Sequence, residues 1–115
     1  MENPPINLKK IDIMTEGDAE FKTELVLALY NSLNELKERY ILGAREQDAT
    51  VIQEIRHKVK PSLSLFEMHE LTRIVYGGKD ILEENGFSPA FRDHLILFKQ
   101  QVDQAIAYIK PLVEA

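Results

Sequence analysis

Phe21, Leu25, Leu29, Leu33, Leu36 and Tyr40 recur at spacings of four, four, four, three and four. Residues at such intervals share one side of an α-helix, and they continue over about twenty residues, far longer than a strand, so this stretch predicts a long amphipathic helix from about Asp18 to Arg45. Asp18, after Gly17, is a suitable N-cap, and the polar run Arg45-Glu46-Gln47-Asp48 ends the helix and supplies Asp48 as the next cap.

The same spacing continues along the chain. Ile52, Ile55, Val59, Leu63 and Phe66 predict a helix from about Ala49 to Glu67. Leu71, Ile74, Val75, Ile81 and Leu82 predict a third from Met68 to Glu84, with Gly77-Gly78 as a weak point costing about 1 kcal/mol per glycine relative to alanine. Asn85-Gly86 is a stop, and Ser88-Pro89 is a cap followed by proline at the first helical position. Phe91, Leu95, Phe98, Val102, Ala105, Ile109 and Leu112 form the last stripe. Ile6, Leu8, Ile11 and Ile13, after Pro4-Pro5, add a short helix or turn over the end. The expected fold is all-α: an antiparallel up-down four-helix bundle with a short N-terminal capping helix. No strand pattern, repeat or low-complexity segment competes with it.

Composition narrows the function. The 115 residues are expected to make a single domain, 1–115, without room for a separate nucleotide-binding unit. No cysteine is present, which removes disulfides, thiol nucleophiles and thiolate metal sites. His69 and His94 have no histidine or aspartate at a ligand spacing, and the paired Glu-x-x-His motif of di-iron bundles is absent, so no metal site is expected. An excess of 19 acidic over 14 basic residues argues against binding nucleic-acid phosphates. The first residues, Met1 to Pro5, have neither the basic nor the apolar part of an export signal, and no run of about 18 apolar residues occurs. A cytoplasmic protein that does not span a membrane is expected.

Against a formal net charge of -5, the segment Arg56-His57-Lys58-Val59-Lys60-Pro61-Ser62 is locally basic. His57 stands outside the apolar series of its helix. At about 100° per residue it lies about 160° from both Ile55 and Val59, and so faces water if they face the core. Its facial neighbours are Thr50, Gln53, Lys60, Pro61 and Ser64, all polar or compact. An exposed neutral imidazole offers a nucleophilic nitrogen to a second protein, and a lysine one turn on offers a cation to a transferred phosphoryl group.

This pattern resembles the histidine-containing phosphotransfer (HPt) domains of two-component signalling. Those domains have a histidine, a lysine three residues later and small residues after it, on the exposed face of the second long helix of a four-helix bundle; here these are His57, Lys60, Pro61, Ser62 and Ser64. The Gly17-Asp18-Ala19-Glu20-Phe21 opening and the helix order extend the resemblance over nearly the whole chain. It implies a phosphorelay intermediate, a phosphotransfer protein without kinase activity of its own. His57 would accept a phosphoryl group from a receiver-domain aspartate and pass it to another receiver, and Lys60 would stabilise the phosphoryl group. Gln53, Arg56, Lys58, Pro61, Ser62 and Ser64 would meet the partner. The implied partners are response-regulator receiver domains and a hybrid histidine kinase. No cofactor is implied on this chain, the Mg²⁺ being the receiver's, and a monomer is expected. Two positions depart from the pattern: Pro61, where glycine is usual, and Arg56, where a small residue is common. Pro61 is expected to kink the helix or to free the His57 carbonyl. The alternative is a helical adaptor that binds receivers or other signalling proteins without being phosphorylated.

Overall fold

In the computed structural model, which describes residues 4–114, the chain forms five helices and, among these residues, no strand. They are α1 (Leu8–Thr15), α2 (Ala19–Glu46), α3 (Ala49–Leu65), α4 (His69–Asn85) and α5 (Pro89–Glu114). Met1, Glu2, Asn3 and Ala115, the ends of the expected domain, lie outside the described residues.

Short polar side chains set the starts of α1, α2, α3 and α5, whereas α4 begins after Met68 without a side-chain cap. Asn7 Oδ1 accepts from the Lys10 N–H at 3.2 Å, and Asp18 Oδ1 from Phe21 N–H at 3.0 Å. Asp48 Oδ1 accepts from Thr50 and Val51 at 3.0 and 3.3 Å, and Ser88 Oγ from Phe91 at 3.4 Å. Each satisfies backbone donors that the first helical turn leaves without intrahelical partners. Glu16 and Gln47 close α1 and α2 in the left-handed conformation, at φ of 48° and 52°, and Glu67 takes the same conformation between α3 and α4.

α2 packs against α3 and α5, α4 packs against α3 and α5, and α1 packs on α2. The enclosed core is built from Val26, Leu29, Leu33, Leu36 and Tyr40 of α2, Ile52, Ile55, Val59 and Leu63 of α3, Leu71, Ile74 and Val75 of α4, and Phe91, Phe98, Val102, Ala105 and Ile109 of α5. Ile6 and Ile11 close one end. There the Asn7 N–H bonds to the Phe66 carbonyl at 3.1 Å, and its side chain donates to Glu67 at 2.7 Å, strapping the α1 entrance to the α3–α4 connection.

One expectation needs correction, and one weak point proves to have a packing role. Phe21 does not join the core: it is 44% exposed. Three successive steps of four residues from Leu33 rotate the stripe by about 120°, so Leu29 stays inside, Leu25 is half-buried and Phe21 emerges. The buried series instead runs Val26, Leu29, Leu33, Leu36, Tyr40 and Gly43, alternating three and four. Gly77-Gly78 does not break α4, which continues to Asn85. Gly78 is buried where α4 meets Tyr40 and His94, and a Cβ there would collide with both side chains. Glycine at this position is therefore a close-approach residue inside a continuous helix.

Candidate phosphoryl-acceptor face on α3

α3 turns Ile52, Ile55, Val59 and Leu63 into the core. The opposite side therefore carries Thr50, Gln53, His57, Lys60, Pro61 and Ser64 outward, and all six are exposed. His57 stands eight positions from Ala49 and eight from Leu65, so neither helix end contributes its dipole charge. Lys60 follows one turn later and makes no ion pair among the described residues. Ser64 continues the same face a further turn on, whereas Ser62 rotates away and is half-buried.

The two other basic residues of the segment have different surroundings. Lys58 extends to Glu35 of α2, Nζ to Oε1 at 2.6 Å, across an exposed part of the α2–α3 interface. The pair removes much of the local positive charge from the free surface.

Arg56 was expected on the partner face, and the structure buries it at 6% exposure. It is rotated about 100° from His57, and its guanidinium lies over the Tyr76 ring of α4, 5.9 Å from the centroid. The stem packs as an apolar chain while the head meets an aromatic face. Arg56 therefore joins α3 to α4 and is not offered to a partner. The free basic character of this face reduces to Lys60.

Pro61 lies inside α3, which continues to Leu65. Proline has no N–H, so it cannot donate to the carbonyl of His57 four residues earlier. Its ring is exposed, on the side of a helix where carbonyls already lean toward water.

A second polar arrangement lies in the core, at a position the apolar pattern of α5 passed over. His94 is 6% exposed, and its Nε2 is 2.6 Å from the hydroxyl of Tyr40. Burial holds the Tyr40 phenol far above its ordinary pKa, with the nearby charge of Arg56 opposing. Burial also pushes the imidazole of His94 down. Both groups are thus neutral near pH 7, one able to donate and one to accept. Phe91 and Phe98 pack around them, with the Phe98 and Tyr40 rings stacked at 4.1 Å. The spacing Phe91, His94, Phe98 was the available sign that His94 belongs to the buried series.

Among the described residues, no group of three or more histidine, aspartate or glutamate side chains is placed to hold a metal ion, and no helix is long and apolar enough to cross a membrane. A broad depression of about 1200 Å³ lies at the α1 end, lined in part by Asn7, Glu67, His69 and Tyr108, and contains no residue of α3. His57 thus stands on an open helix surface. No protein-family model, curated protein or solved structure matches the chain.

Proposed function

We propose that this chain is a histidine phosphocarrier of the HPt type, working between receiver domains. The observation that carries the reading is the pairing of an exposed mid-helix His57 with Lys60 one turn on; the exposed carboxylate of Glu54 stands one turn before it, and Thr50, Gln53, Pro61 and Ser64 on the same face are uncharged. The helix circuit, in which α2 and α4 each touch both α3 and α5, supports reading α2 to α5 as an antiparallel up-down four-helix bundle capped by α1.

In the proposed step, the unprotonated ring nitrogen of His57 attacks the phosphorus of a receiver aspartyl phosphate. An N–P bond forms as the P–O bond to the aspartate breaks, and the carboxylate leaves with the electron pair. The reverse step loads a second receiver. Transfer of this kind depends on in-line positioning and on neutralising charge on the equatorial oxygens. An open helix surface supplies only the nucleophile and Lys60; the receiver domain supplies the aspartate and its Mg²⁺. The working form is read as a cytoplasmic monomer, because the His57 face must be free for partners.

The test is incubation with phosphorylated receiver domains. Label that moves to this chain, is lost in acid, survives in base and maps to His57 supports the reading. Binding to receivers without transfer to His57 overturns it in favour of a helical adaptor.

A further inference from the structure

The phosphocarrier reading leaves open what a receiver holds beside the histidine, and Pro61 bears on that. An interior helix carbonyl normally accepts from the N–H four residues on, and Pro61 denies that bond to His57. A hydrogen bond still has to be found for a polar backbone group, from water or from another molecule. Elsewhere in the fold, side chains reach back to helix carbonyls four residues earlier: Thr23 to Ala19, Asn34 to Tyr30 and Thr72 to Met68, at 2.8–3.0 Å. Among the described residues no side chain does this for His57. Residues 57 and 61 share the exposed face; the carbonyl points along the helix axis toward the Pro61 ring, and a donor can reach it only from the solvent side, where helix carbonyls lean outward.

Resting on the phosphocarrier reading, we propose that Pro61 is a specificity-determining residue that turns the His57 main-chain carbonyl into an anchoring acceptor for a hydrogen-bond donor of the docking receiver. A receiver presenting an N–H or ammonium group there is favoured, and one presenting a carboxylate is repelled. The choice is made next to the nucleophile, so it also sets how the imidazole meets the aspartyl phosphate.

Two replacements separate the carbonyl from the proline ring. Pro61→Ala restores the helical N–H and removes the ring; replacing Pro61 by lactic acid through semisynthesis removes the ring and still supplies no N–H. Dissociation constants are measured against a panel of receiver domains, with labelling of His57 in the wild-type protein run alongside. The lactate form is expected to keep wild-type affinity, and Pro61→Ala to weaken the labelling-competent receivers about two- to tenfold, the range of one hydrogen bond. Equal affinities for Pro61→Ala and wild type overturn the inference and leave the phosphocarrier reading intact. Equal weakening of both variants also overturns it, because the ring would then be the contact. A wild-type chain that takes label from no receiver overturns both.

Discussion

The hydroxyl of Tyr40 on α2 and Nε2 of His94 on α5 meet at 2.6 Å inside the helical core, closed over by Gly78 of α4. The bond satisfies two polar groups that burial would otherwise make costly. Three helices therefore depend on one neutral pair.

Because burial lowers the pKa of His94, its contribution to stability is complete above the ordinary histidine value of about 6.5 and is lost as the pH falls from there through the folded-state value. The unfolded state binds the proton more readily in that window, so stability falls with acidification. Thermal midpoints measured from pH 7.5 to 5 are expected to drop more steeply for wild type than for His94→Leu. Equal slopes would remove His94 from the account. Tyr40→Phe combined with His94→Leu is expected to cost less than the sum of the single changes, since each single change strands one buried polar group, at about 1–3 kcal/mol.

Gly77 and Gly78 separate propensity from packing. A Cβ at Gly77 meets nothing within 4 Å, so Gly77→Ala is expected to stabilise by about 0.5–1 kcal/mol through helix propensity. A Cβ at Gly78 runs into Tyr40 and His94. Gly78→Ala is expected to destabilise, with overpacking of about 1–3 kcal/mol exceeding the propensity gain. Urea unfolding of both variants checks the opposite signs.

His57→Gln is expected to abolish acid-labile labelling while leaving the unfolding midpoint nearly unchanged, as befits an exposed side chain. Lys60→Ala is expected to slow transfer only about two- to fivefold, corresponding to the 0.3–1 kcal/mol of an exposed charge interaction. Single-turnover labelling from a phosphorylated receiver measures both. Full activity in His57→Gln would move the acceptor elsewhere.

Arg56 and Lys58 are adjacent in sequence to the same histidine and should behave differently. Arg56→Ala removes a buried stem and its contact with Tyr76, and is expected to cost about 1–3 kcal/mol of stability. Lys58→Ala breaks only an exposed pair with Glu35, at about 0.5 kcal/mol or less. Chemical denaturation orders the two, and the reverse order would contradict the placement of Arg56.

Helix positions were readable because apolar spacing and the caps Asp18, Asp48 and Ser88 are local signals. The outward direction of His57 was readable too, since it follows from angles within one helix. Phe21 was misjudged because a series of fours looks apolar on paper while turning steadily out of the core. Arg56, Glu35 and Tyr76 were not readable at all, because their relations cross from one helix to another. His94 was overlooked because its polarity hid its register. Local periodicity tells which way a side chain leaves its helix, and only the assembled interfaces tell what it meets.

The left-handed residues Glu16, Gln47 and Glu67 show that this chain has not used all the stability its backbone permits. Each is an L-residue with a Cβ in a conformation costing about 1–2 kcal/mol, which glycine relieves at some loss of unfolded-state entropy. Changing Glu16 and Gln47 to glycine is a route to a hardier protein that leaves every exposed residue of the His57 face in place, whereas at Glu67 the gain is offset by loss of the carboxylate that accepts from the Asn7 side chain. The margin sits in the joints between helices, where it can be adjusted independently of whatever chemistry α3 performs.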